Sequence, residues 1–129
     1  MNRGAMVLAA LTVALPALAW AATRTERVEF AKGKTVAQIK GTIRDDATVD
    51  YLVAAQAGQT LAITLASNQP NNHFNVTAPG TGTAMFVGSV LGTAFKAKLP
   101  LSGDYTVQVY VERGAGKKSE TATYTLTVE

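Results

Sequence analysis

Beyond about residue 22, apolar and polar residues alternate with a period of two along nearly the whole chain. Val28 and Phe30 alternate with Arg27 and Glu29, and Ile39, Gly41 and Ile43 with Lys40 and Thr42. Val49, Tyr51 and Val53 flank Asp50, Leu61, Ile63 and Leu65 flank Ala62 and Thr64, and Phe74 and Val76 form a shorter run. Phe95, Ala97 and Leu99 alternate with Lys96 and Lys98, Tyr105 to Val111 with Thr106 and Gln108, and Tyr124 to Val128 with Thr125 and Thr127. Successive strand side chains point to opposite faces, so each run predicts a strand with one buried and one wet stripe. The turn signals Lys32-Gly33-Lys34, Ala57-Gly58-Gln59, Pro79-Gly80-Thr81-Gly82 and Ser102-Gly103-Asp104 separate them. No sustained helical repeat is present. The pattern predicts an all-β fold, a small antiparallel β-sandwich of eight or nine strands, with a closed barrel as the alternative architecture.

The first residues follow a different rule. Arg3 precedes an apolar run from Ala5 to Leu18, and small residues close it at Ala19-Trp20-Ala21. That order is expected for a secretory signal peptide over 1–21, cleaved near Ala21 and leaving one domain over 22–129. The run is shorter than the roughly 20 apolar residues of a membrane span, so no membrane association is expected after its removal. The expected location is the periplasm.

Composition narrows the chemistry. The chain has 129 residues, 12 Lys+Arg against 9 Asp+Glu, and no Cys. Removing residues 1–21, Arg3 among them, leaves 108 residues with 11 basic against 9 acidic side chains, a net charge of +2. So weak a charge argues against nucleic acid as a partner. Without Cys there is no disulfide, thiolate nucleophile or Cys-bearing zinc site. His73 is the sole His, set in Asn71-Asn72-His73-Phe74-Asn75, and Gly88-Ser89-Val90-Leu91-Gly92 lacks the spacing of a nucleophile elbow. Asp45, Asp46 and Asp50 cluster without the spacing of a calcium loop, and read as a solvated turn. Neither a catalytic constellation nor a metal or cofactor site can be assembled, so a non-enzyme is expected.

One segment stands apart. Arg113-Gly114-Ala115-Gly116-Lys117-Lys118-Ser119-Glu120 joins the two strongest strand patterns. Read as a hairpin loop, it exceeds the usual two to five residues and concentrates three cations. Extra loop length on a rigid sheet is often functional, while the plainer reading is a solubilising tip.

Several stretches together resemble the periplasmic inhibitors of g-type (goose-type) lysozyme. Arg27-Val28-Glu29-Phe30-Ala31-Lys32-Gly33 resembles the family's first strand and turn, and Asp50 to Gln59 its apolar strand ending in a Gly-Gln turn. Leu99-Pro100-Leu101-Ser102-Gly103-Asp104-Tyr105 resembles its Leu-Pro-x-Ser-Gly-x-Tyr turn, and Arg113 and Lys117 fall where the family places two basic residues four apart. Lys117 replaces an Arg of the family pattern, and Asp45-Asp46-Ala47 stands where the family is aromatic. The resemblance implies an inhibitor that plugs the acidic cleft of g-type lysozyme with a basic hairpin loop. Arg113 would insert deepest and Lys117 support it, with Ser102 and Gly103 on a neighbouring turn as further contacts and Tyr105 in the core. The alternative is a carbohydrate-binding or accessory sandwich resembling pre-peptidase C-terminal domains, whose Gly-x-Tyr and Ala-Gly-Gln turns are similar.

Overall fold

The computed structural model describes residues 23–44, 46–112 and 121–129. Nine strands follow in order: β1 Arg24–Arg27, β2 Ala37–Arg44, β3 Val49–Ala55, β4 Thr60–Ser67, β5 Asn72–Thr77, β6 Ala84–Val87, β7 Ala94–Lys98, β8 Gly103–Val111 and β9 Thr121–Val128. A single helical turn, α1 (Gly88–Leu91), links β6 to β7. The strands form two sheets, ordered β1-β3-β8-β5-β6 and β2-β9-β4-β7. The expected sandwich is therefore present.

The alternation seen in the sequence becomes the burial pattern. Val49, Tyr51 and Val53 face inward from β3, as do Tyr105, Val107, Val109 and Val111 from β8. Ala122, Tyr124, Leu126 and Val128 of β9 meet them from the other sheet. Removing each large apolar side chain from water contributes roughly 1.5–3 kcal/mol, which offsets the ordering of a disulfide-free chain. Phe74, Phe86 and Phe95 continue the core across the far edge, with ring centroids 5.0 and 5.4 Å apart.

Two details depart from the sequence reading. The first strand lies upstream of the expected Arg27–Phe30 run and pairs with β3 in parallel, Arg24 opposite Val49. Val28 is still buried, its amide donating to the Leu52 carbonyl at 2.9 Å, but Phe30 is 37% exposed and begins the turn to β2. The second departure is β6, which the sequence did not announce. Four residues are too few for alternation to register, and β5 pairing with a bulge at Val76/Thr77 defines it.

Gly41 sits directly opposite Tyr124 in the β2–β9 pair. A Cβ there would lie 2.5 Å from the Tyr124 hydroxyl oxygen and 2.6 Å from Cζ. The missing side chain gives the ring its place. The Tyr124 hydroxyl then meets that of Tyr51 in the opposite sheet at 2.7 Å, a buried bond across the sandwich. Burial pushes the ionisation of both phenols upward.

Candidate functional site

The two sheets give the sandwich two ends, and the strand directions sort the connections between them. β2 and β8 run toward one end, and β3 and β9 run away from it. That end carries the links from β2 to β3, β4 to β5 and β8 to β9. The opposite end carries the links from β3 to β4 and from β7 to β8.

The expected hairpin between the last two strands is corrected by this topology. β8 pairs with β3 and β5, whereas β9 pairs with β2 and β4. The segment 113–120 thus crosses from one sheet to the other. Packed sheets stand about 10 Å apart, so a crossing needs more residues than a two-residue turn. Its length follows from the fold and does not itself signal function. Arg113 and Lys117 lie outside the described residues.

The anchors of that crossing are well defined. Glu112 donates its amide to the Asn71 carbonyl at 2.8 Å and accepts at its own carbonyl from Asn71 Nδ2 at 2.8 Å. On the other side Thr123 donates to Asn68 Oδ1 at 2.9 Å, Asn68 donates back to the Thr123 carbonyl at 3.2 Å, and Gln69 Nε2 donates to the Thr121 carbonyl at 3.4 Å. A single amide-rich link, Ser67 to Asn72, therefore grips both ends of the basic segment. Its Ser-Asn-Gln-Pro-Asn-Asn sequence is a legible signal, though it matches no motif of catalysis or ligand binding. Short polar side chains of this kind satisfy backbone groups that leave a sheet.

His73 belongs to the same end. It lies on the outer face of the five-stranded sheet, its ring 5.8 Å from that of Tyr110 and Nε2 3.4 Å from Glu112 Oε1. Its side chain is 14% exposed, on a strand flanked by β8 and β6. Asp50 accepts from Gln108 Nε2 at 2.8 Å, Asp46 is exposed, and Asp45 lies outside the described residues. Among the described residues no group of three or more His, Cys, Asp or Glu could hold a metal ion.

Ser102 and Gly103 occupy the other end. Eight residue steps along β8 separate Gly103 from Val111, about 26 Å at ~3.3 Å per residue. The expectation that their turn neighbours the basic segment is thereby corrected for the anchors of that segment. Ser102 Oγ accepts from the Ala57 amide at 2.9 Å, tying the Ser-Gly turn to the Gly-Gln turn. Gly103 has φ 140°, and a Cβ there would press on the Pro79 ring at 2.9 Å. Tyr105 is fully buried, and its hydroxyl donates to the Leu101 carbonyl at 2.7 Å and accepts from the Leu101 amide at 3.1 Å. Asp104 is clasped by Nη1 and Nη2 of the Arg27 guanidinium, at 3.0 and 2.8 Å, which holds its carboxyl below the usual range. The Leu-Pro-x-Ser-Gly-x-Tyr motif is thus a device for closing this end of the sandwich.

With that geometry in place, comparison with solved structures is decisive. The periplasmic inhibitor of g-type lysozyme PliG from Aeromonas hydrophila superposes with a TM-score of 0.74 at 33% identity, over 84% of this chain and 98% of that one. This chain belongs to the periplasmic g-type lysozyme inhibitor family. A mutant of Escherichia coli PliG (TM-score 0.60, 20% identity) and Salmonella Typhimurium PliG (0.59, 19%) share the fold, each over 82% of this chain and 98% of theirs. So does the pre-peptidase C-terminal domain of Bacillus anthracis collagenase, at 0.54 and 18% identity, over 84% and 94%. No family model and no curated protein matches the chain. These three PliG structures are of lysozyme inhibitors, not enzymes, in keeping with the sequence expectation.

Proposed function

We propose that this protein is a periplasmic inhibitor of g-type lysozyme that acts by presenting the basic segment 113–120 to the enzyme's acidic cleft. The observation that carries the reading is the match to the Aeromonas inhibitor over nearly that protein's whole length. The inhibitor is exported by the segment 1–21, removed near Ala21.

Arg113 makes the principal contact and Lys117 supports it. A lysozyme cleft holds catalytic carboxylates, and a cation seated among them competes with substrate. A unit-charge pair at 4 Å is worth about 1 kcal/mol in bulk water and about 4 kcal/mol at an effective dielectric of 20. The gain therefore depends on excluding water from the cleft. The amides of Asn68, Gln69 and Asn71 support this mode by fixing where both strands leave the sheets. Fixed anchors reduce the ordering cost of binding. Ser102 and Gly103, on the turn that closes the opposite end, are the further contacts of the proposed interface. Inhibition is stoichiometric, with no turnover.

The test is a lytic assay of the purified protein against g-, c- and i-type lysozymes. Inhibition confined to the g-type enzyme, and lost in Arg113→Ala with the fold intact, is the expected outcome. Inactivity against all three would overturn the reading.

A further inference from the structure

The two sheets differ in their charges. The strands of the five-stranded sheet carry Glu26, Asp50 and Asp104 beside Arg24 and Arg27. Those of the four-stranded sheet carry Lys40, Arg44, Lys96 and Lys98 and no acidic residue; Glu129 follows β9 at the far end. All four cations point outward. Lys40 lies opposite Thr125 on one edge strand, and Lys96 and Lys98 lie opposite Ala62 and Thr60 on the other. Three strand spacings, about 14 Å, separate the two edges. Lys40, Lys96 and Lys98 form no ion pair with a described residue.

Between the lysines lies a grid of hydroxyls. Thr123, Thr125 and Thr127 project from β9, flanked by Thr42 on β2 and Thr64 on β4. None of these five hydroxyls bonds another described residue. The side chains interleaved on β4 and β7 are Ala62, Ala66 and Ala94, too short to insert into a lipid layer.

We propose that this outer face is a second interaction surface, and that its partner is an extended carboxylate-bearing glycan, the polymer of the bacterial cell wall. The charge is complementary to a polyanion. An open sheet face suits a linear chain better than a small ligand, which needs a concave site. The hydroxyl grid supplies donors and acceptors to sugar hydroxyls, while Lys acts as a point charge toward carboxylates. The surface uses no residue of the inhibitory contact, so the proposal stands or falls apart from that reading. It would hold the inhibitor on the same polymer that a lysozyme attacks.

Co-sedimentation of the mature protein with purified insoluble peptidoglycan tests this, alongside vesicles of phosphatidylglycerol. Wild type is expected in the peptidoglycan pellet at low salt and in the supernatant at about 0.5 M salt, where the Debye length is only a few ångströms. The triple variant K40E/K96E/K98E is expected to bind about tenfold more weakly, with an unchanged melting temperature and unchanged lysozyme inhibition. Wild type remaining in the supernatant at low salt would overturn the proposal. So would equal binding by the triple variant, equal or stronger binding to the vesicles, or binding abolished only by R113A/K117A.

Discussion

Replacing Gly41 by Ala adds one methyl group at the point where the two sheets are joined by the tyrosine pair. The new Cβ would lie 2.5 Å from the Tyr124 hydroxyl oxygen and 2.6 Å from Cζ, where ordinary contact begins at 3.4 Å. The Tyr124 ring is 2% exposed, so it has no solvent to swing into. Relieving the clash means moving the ring by most of an ångström, which breaks its 2.7 Å bond to Tyr51. Overpacking of this kind costs about 1–3 kcal/mol, and a lost buried hydrogen bond about 1 kcal/mol. Removing a glycine from a strand returns roughly 0.5–1 kcal/mol. The net expectation is a loss of about 2 kcal/mol, or roughly 10–15 °C in melting temperature for a domain of this size. Urea unfolding followed by far-ultraviolet circular dichroism measures it, with an unchanged slope showing that the denatured state is not the cause. In a double-mutant cycle, Tyr124→Phe is expected to cost about 1 kcal/mol less in the Gly41→Ala background than alone, because the bond is already broken there. A Gly41→Ala variant as stable as wild type, or more so, would refute the packing argument.

Two further outcomes follow from the same geometry. Burial raises the folded-state ionisation of Tyr51 and Tyr124, so the folded protein retains protons that the unfolded chain releases from about pH 10. Their contribution is full below that pH and is lost as pH rises toward the folded values; urea midpoints should fall between about pH 9.5 and 11.5, and Y51F/Y124F should flatten that slope. At the segment proposed to inhibit, Lys117→Arg restores the planar fork that clasps a carboxylate with two bonds, and is expected to tighten inhibition of g-type lysozyme several-fold in a titration of lytic activity. Weaker inhibition by that variant would argue against a carboxylate partner for position 117.

The sandwich was legible because burial and alternation are the same fact in a half-buried strand. Val49-Asp50-Tyr51 or Thr123-Tyr124-Thr125 declares its inward face without any tertiary knowledge. What periodicity cannot carry is which strand pairs with which. Nothing local in Tyr105–Val111 or Tyr124–Val128 says that they enter different sheets, and adjacency in sequence favoured a hairpin. Motif order likewise brings Ser102 close to the basic segment, whereas the described anchor at the end of β8 lies a strand's length from it. β1 escaped notice because Arg24-Thr25-Glu26-Arg27 is polar throughout and its pairing is parallel. Gly41 read as one more inward position, yet its role depends on a tyrosine 83 residues away. The amide grip of Asn68, Gln69 and Asn71 needs the same long-range information.

Under the proposed function, the cation at position 113 is what makes this sandwich an inhibitor. The most direct measurement is the inhibition constant of wild type and Arg113→Ala against g-type lysozyme, with urea midpoints taken on both proteins. Potent inhibition by wild type and a loss of about 10–100-fold in the variant, at equal stability, are the expected results. Equal inhibition by both proteins would contradict the proposed function.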